Sequence, residues 1–197
     1  MKILAFVDMH GSFTKLKEVI RKSQKADILV CCGDISMFGQ NLDRIFSQLS
    51  KTQKPILVIP GNHETEEQIR QVCKKYKLIY LHNGSYTLNN YVFFGYGGGG
   101  FSQKTEALEK VINKFKKTLK KDDKIILITH APPYKTTLDF LPHLGHVGSK
   151  SLRTFIEEIK PFLHICGHLH ENDGSSDKIN NSLIINPGSD GQIIDIQ

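Results

Sequence analysis

The chain has 197 residues, 39% of them hydrophobic and 23% charged, with a formal net charge of +6 at pH 7. That length suits one well-buried domain, taken here as residues 1–197, and the ordinary composition makes a packed globule, not a disordered chain, the expectation. The positive balance favours anionic partners, but much of it lies in Lys114 to Lys124 (KFKKTLKKDDK), which reads more simply as the solvated face of a helix.

The cysteines, Cys31, Cys32, Cys73 and Cys166, show no C-x-x-C spacing, so neither a zinc knuckle nor a disulfide framework is indicated. Cys31, Cys32 and Cys166 fall inside apolar strand-like runs, where a thiol behaves as a small hydrophobe. The N-terminal apolar run, Ile3 to Val7, is too short for a signal sequence, and no stretch approaches transmembrane length. A reduced, cytoplasmic setting without a membrane partner is the expectation.

In chain order, Ile3 to Val7 reads as a strand that runs into Asp8-Met9-His10-Gly11, and Ser12 is placed to cap a helix bearing Leu16, Val19 and Ile20. Asp27 to Cys32 is a second strand, ending in Gly33-Asp34. Asn41 to Lys51 has helical spacing through Leu42, Ile45, Phe46 and Leu49. A third strand, Pro55 to Ile59, stops at Pro60-Gly61 and is followed by Asn62-His63-Glu64. A helix then spans Thr65 to Tyr76, with Thr65 or Glu64 near its start.

Leu78 to Leu81, Ser85 to Leu88 and Tyr91 to Phe94 are short and β-rich, divided by Asn83-Gly84 and Asn89-Asn90 turns. Gly95 to Gly100 contains five glycines and one tyrosine but lacks the Gly-Lys-Ser/Thr ending of a P-loop; it reads as a mobile loop by the site or a plain connector. An amphipathic helix from about Lys104 to Lys120 leads to a strand, Ile125 to Thr129, that ends at His130. A proline-bearing loop, Ala131 to Gly148, precedes a helix at Ser151 to Ile159. The strand Phe162 to Cys166 ends in Gly167-His168-Leu169-His170. Leu183 to Ile185 and Ile193 to Ile196 are late strands, and Gly191 to Gln197 leaves an edge open to pairing with a partner.

Apolar strands therefore end, one after another, in Asp8/His10, Asp34, Asn62/His63, His130 and His168/His170. Strand ends on one edge of a sheet converge in space, so these distant residues can meet. The donors are carboxylate, amide and imidazole without thiolate, a set that suits Mn²⁺, Fe, Ni²⁺, Co²⁺ or Zn²⁺. They outnumber the ligands of a closed tetrahedral zinc site. They suit two divalent ions that share a bridging carboxylate, roughly 3.5–4 Å apart, as in two-metal hydrolases.

Asp8-x-His10, Gly33-Asp34, Gly61-Asn62-His63-Glu64, His130 and Gly167-His168-x-His170 together resemble the five blocks of the calcineurin-like metallophosphoesterases, across nearly the whole chain. His130-Ala131-Pro132-Pro133 with Leu138-Asp139, and His146-Val147-Gly148-Ser149, are similar to the small phosphodiesterase-like branch. The resemblance implies a four-layer α/β/β/α sandwich of two mixed sheets flanked by helices. It implies that Asp8, His10 and His170 hold one metal, that Asn62, His130 and His168 hold the other, and that Asp34 bridges them. His63 would not ligate but would face the substrate, stabilising charge or protonating the leaving oxygen. A carboxylate beside a catalytic imidazole can orient it, so Glu64 is expected to hydrogen-bond His63. In the family's chemistry the cations acidify a bridging water, which attacks phosphorus as hydroxide while the cations clamp the phosphoryl oxygens.

Glu64 is shared with the protein Ser/Thr phosphatases, but Asp34 is followed by Ile35-Ser36-Met37 rather than by their Arg-bearing block, so a protein phosphatase fits less well. Among the other histidines, His164 lies mid-strand and reads as structural, and His82 before its Asn-Gly turn reads as exposed. His146, and with less weight His143, can contact substrate by loop position; Asn62 and His63 join His146 as substrate-binding expectations.

The expected activity is dinuclear-metal-dependent hydrolysis of phosphodiester, and also phosphomonoester, bonds in a small substrate such as a cyclic nucleotide. A nuclease is the less favoured partner reading, since the length leaves little beyond the core sandwich for a nucleic-acid-binding domain. A non-catalytic scaffold of the same fold would leave the complete ligand set and His63 idle.

Overall fold

The structure is a computed structural model that describes residues 1–196. In chain order the elements are β1 (Lys2–Phe6), α1 (Phe13–Ser23), β2 (Ile28–Cys31), α2 (Leu42–Ser50), β3 (Ile56–Val58), α3 (Glu66–Tyr76), β4 (Ile79–Tyr80), β5 (Gly84–Leu88), β6 (Tyr91–Tyr96) and α4 (Glu106–Lys116). They continue with β7 (Lys124–Thr129), β8 (Phe140–Leu141), β9 (Gly145–His146), α5 (Lys150–Ile159), β10 (Leu163–Ile165), β11 (Ser176–Ile179), β12 (Ser182–Ile185) and β13 (Gln192–Asp195). No helix among the described residues is long and apolar enough to cross a membrane.

Two mixed sheets form the centre. One has the order β13-β1-β2-β3-β4, with β1 to β4 parallel and β13 antiparallel on the edge. The other has the order β11-β12-β10-β7-β6-β5, parallel through its middle with antiparallel strands at both edges. Alternation along β1 shows how the layers stack. Ile3 and Ala5 point into the core between the sheets with Phe93, Ile126 and Ile165, whereas Leu4 and Phe6 point outward. There they meet Leu16 of α1, Phe46 of α2 and Ile69 of α3. The second sheet repeats the scheme, with Phe94 and Leu127 packed outward on Phe115 of α4 and Phe155 of α5. Central strands buried on both faces are mostly apolar, which is why they read as continuous runs. The result is the expected four-layer α/β/β/α sandwich.

Local signals set the helix starts. Ser12 Oγ accepts the Lys15 N–H at 3.4 Å, and Thr65 forms a reciprocal capping box with Gln68. Thr65, not Glu64, is therefore the N-cap of α3. Helix α4 is shorter than its hydrophobic pattern, ending at Lys116, because Thr118 turns back with its N–H and hydroxyl on the Phe115 carbonyl. Strand β11 was not legible as a strand. It is polar and lies at the sheet edge, paired with β12 across Asn180-Asn181. At the other sheet's edge, β13 occupies the predicted position; Gln197 lies outside the described residues.

Both sheets present strand C-termini at the same end of the sandwich. The Asp8 N–H bonds the Gly33 carbonyl at 3.2 Å within the first sheet, and the Gly167 N–H bonds the His130 carbonyl at 2.9 Å within the second. The bonds that tie the sheets together there include those from the His168 N–H to Asp8 Oδ2 (2.8 Å) and between His130 Nδ1 and the Cys32 carbonyl (3.0 Å).

Candidate metal centre

The predicted ligands converge at this junction, and they come from two sheets rather than from one sheet edge. Asp8, His10, Asp34, Asn62 and His63 follow β1, β2 and β3; His130, His168 and His170 follow β7 and β10. Three overlapping groups have ligand atoms within 4.8 Å of one another: Asp8, His10 and His170; Asp34, His130 and His168; and His10, Asp34 and His63. Asp34 thus belongs with His130 and His168 on one side and with His10 on the other, the position a bridging carboxylate needs. Asn62 joins the second group through its Oδ1, 2.9 Å from His130 Nε2.

Each carboxylate has one oxygen held by a backbone N–H and one turned toward the imidazoles. Asp8 Oδ2 takes the His168 N–H, while Oδ1 is buried without a hydrogen-bond partner, 4.0 Å from His10 Nε2 and 3.8 Å from His170 Nε2. Asp34 Oδ1 accepts the His63 N–H at 2.8 Å, while Oδ2 faces His130 Nε2 at 3.3 Å. The His10 and His170 Nε2 atoms lie 3.0 Å apart, and His168 Nε2 is buried without a partner. Orphaned buried acceptors are costly, and lone pairs from several groups aimed at common points are what divalent cations satisfy. The donor set fits.

Electrostatics agree. Burial pushes the Asp8 carboxyl up to about 6, a penalty that nearby cations would reverse. Burial also lowers His10 and His168 to about 4, so both imidazoles are neutral and free to coordinate near pH 7. Burial opposes ionisation of Asp34, but the hydrogen bond and charge of His130 prevail and hold it near 2. With its Nδ1 held by the Cys32 carbonyl, His130 keeps its Nε2 turned toward Asp34 and Asn62.

The backbone is strained where it carries these groups. Asp8, His10, Asp34 and His168 all have positive φ, between 48° and 74°. Such residues cost about 1–3 kcal/mol each and persist where surrounding structure holds them. Two glycines allow the loops to meet. A Cβ on Gly33 would collide with the Gly61 backbone, and one on Gly61 would collide with the Asp34 carboxylate.

Three expectations need correction. Glu64 does not touch His63. Its carboxylate accepts the N–H groups of Asp34 (3.0 Å), Ser36 (2.7 Å) and Gly61 (3.1 Å) and the Ser36 hydroxyl (2.9 Å), so it moulds the loops that carry Asp34 and Asn62. Second, His82 is buried rather than exposed: its Nδ1 accepts the Gly97 N–H at 2.8 Å, and its Nε2 lies 3.2 Å from Glu66. Third, with the Gly98 N–H also bonded to the Pro60 carbonyl, the glycine-rich segment begins as an anchored loop beside the centre, not a plain connector.

His164 is structural as predicted, buried with Nε2 2.7 Å from Thr129 Oγ1. His146 is held by the buried Asp139 carboxylate, Nδ1 to Oδ1 at 2.8 Å, in the β8–β9 hairpin. That hairpin packs by the turn after His170, where Asn172 donates to the Leu138 carbonyl. The structure does not bring His146 into the ligand cluster, and His143 is exposed on the same loop. Two aromatic residues that no sequence pattern singled out do stand at the centre: Phe38 against His63 and Phe101 against His168.

Carboxylates and imidazoles gathered at the strand ends of a two-sheet sandwich define the class as a candidate metal-binding α/β scaffold. The chain matches the calcineurin-like phosphoesterase model over residues 1–172, and it belongs to that family. It is 37% identical over 198 residues to the uncharacterised protein MJ1162 of Methanocaldococcus jannaschii, covering 95% of this chain and 88% of the relative. It is 26% identical to a probable glycerophosphodiester phosphodiesterase, GpdQ, of Arcobacter nitrofigilis, over 83% of this chain and 64% of that protein. Its fold is similar to that of TT1561 of Thermus thermophilus, with a TM-score of 0.76 at 18% identity, covering 95% of this chain and 88% of that one.

Proposed function

We propose that the chain hydrolyses phosphodiester bonds of a small phosphorylated substrate with two divalent cations, and cleaves phosphomonoesters as a secondary activity. The observation that carries this reading is the pair of ligand groups on either side of Asp34. In this reading Asp8, His10 and His170 hold one cation, Asn62, His130 and His168 hold the other, and Asp34 serves both. When bound, the cations supply an acidified water and neutralise charge on the phosphoryl oxygens.

The chain's own groups do the rest. Asp34 and Asp8 keep their other oxygens turned toward the imidazoles because backbone N–H groups hold one oxygen of each. Asn62 and His170 are exposed at the mouth, leaving the phosphoester an open approach. His63 stands beside His10, with ring centroids 4.8 Å apart, and its Nε2 lies 3.8 Å from Asp34. From there it can deliver a proton to the leaving oxygen. The likeness to a phosphodiesterase supports the diester preference, and the full ligand set speaks against a scaffold role. Manganese is one fitting cation among iron, nickel, cobalt and zinc, since geometry and availability decide between them. Four buried free thiols suit a reducing, cytoplasmic setting.

The test is hydrolysis of an aryl phosphodiester and its monoester by chelator-stripped protein, with Mn²⁺, Ni²⁺ or Zn²⁺ restored singly. Turnover should return with metal, favour the diester and vanish in Asp34→Asn. Absence of both metal binding and turnover would overturn the reading.

A further inference from the structure

Two solvent-exposed aromatic rings flank the centre. Phe38 is 70% exposed and Phe101 59% exposed, and neither belongs to any of the three hydrophobic cores. Phe38 lies 4.6 Å, centroid to centroid, from His63, which follows β3 in one sheet. Phe101 lies 4.7 Å from His168, which follows β10 in the other. Each ring therefore stands beside a histidine of a different sheet at the junction where the sheets meet.

Packing does not account for their placement. Phe38 has φ +50°, a conformation that a bulky side chain rarely adopts. Its loop is fastened by the Gly39 N–H on Ser36 Oγ and by Ser36 on Glu64, which holds the ring out in water. Phe101 follows the glycine-rich loop, itself fastened to His82 and Pro60. Met37, 38% exposed, extends the apolar edge by Phe38.

We propose that Phe38 and Phe101 grip the organic group of the substrate, and that the site prefers phosphoesters of flat aromatic or heteroaromatic groups, of nucleoside type, over esters of glycerol. The inference rests on the phosphoesterase reading. A phosphoryl group held at the ligand cluster projects its ester substituents toward the mouth. There, phenyl rings offer stacking faces and edges but no hydrogen-bonding group for glycerol hydroxyls. Stacking on an aromatic side chain is also tolerant of the identity of the base.

The experiment is calorimetric binding of adenosine 5′-monophosphate and glycerol 3-phosphate to the metal-loaded, full-length protein, its metal content measured. The nucleotide should bind about tenfold more tightly, a preference of the size that one stacking contact supplies. Phe101→Leu keeps apolar bulk without the aromatic face, and Phe38→Gly removes the ring while relaxing the positive φ. Each should cut the preference at least about threefold, and the double variant should bring it near unity. Equal affinities in the wild type, or an undiminished preference in the double variant, would overturn the aromatic assignment alone. Failure of both phosphates to bind at full metal occupancy would overturn the phosphoesterase reading together with it.

Discussion

The carboxylate of Glu64 holds the backbone N–H of Asp34 at 3.0 Å, so the residue next to the predicted acid His63 instead fixes the loop of Asp34, the proposed bridging ligand. Three further donors, from Ser36 and Gly61, complete its shell. In Glu64→Gln the amide NH₂ would point at one or more of these donors and leave them buried and unsatisfied. We expect a loss of about 2–3 kcal/mol in urea unfolding, together with weaker metal binding. An unchanged midpoint and metal affinity would refute this role.

His63 and Asp34 meet twice, through the His63 N–H on Oδ1 and through Nε2 at 3.8 Å from Oδ2. The backbone contact survives substitution of the side chain. His63→Asn should therefore retain its metals, as counted by elemental analysis, while kcat falls about 10²–10⁴-fold, the range for a lost general acid. Loss of one metal equivalent would place His63 among the ligands instead.

Gly61 passes so close to Asp34 that an added Cβ would overlap the carboxylate. Gly61→Ala should displace Asp34 and reduce metal stoichiometry. Far-ultraviolet circular dichroism should stay unchanged, because the strands themselves are untouched. Full metal occupancy in the variant would show that the loop yields instead.

His164 gives the fold a pH dependence of calculable sign. Burial lowers its pKa to about 3 in the folded chain, against about 6.5 when unfolded. Below pH 6.5 the unfolded chain takes up a proton that the native chain refuses, so stability falls as pH drops toward 3. The limiting slope for this one group is about 1.4 kcal/mol per pH unit. His164→Gln can keep a bond to Thr129 without titrating. Urea unfolding with chelator present, from pH 7.5 to 4.5, should show a flatter decline for the variant. Parallel declines would assign the effect to other groups, such as His10 and His168.

Much of this was legible in the chain itself. Strands buried on both faces are mostly apolar, with polar exceptions such as His164 paired to Thr129, so they stand out as runs. The abrupt change to Asp, His and Asn after each run marked the site residue by residue, since a strand and its terminal loop are contiguous. Ser12 and Thr65 announced their helices because capping is a short-range bond. Strand β11 escaped because an edge strand faces water and needs no apolar pattern; Asn180-Asn181 was the one turn signal that could have found it.

The sequence by itself determined which side chains would line the centre, because each stands a few residues past a strand whose burial dictates its composition. Tertiary structure alone decided that the candidate ligands come from two sheets and that Glu64 serves Asp34 rather than His63. It likewise decided that His82 is buried beneath the glycine-rich loop and that Phe38 stands against His63 and Phe101 against His168. The physical reason is range. Periodicity and capping act within a few residues, whereas the bonds from Asp8 to His168 and from His130 to Cys32 span 160 and 98 residues, and only packing of the completed sheets brings those atoms together.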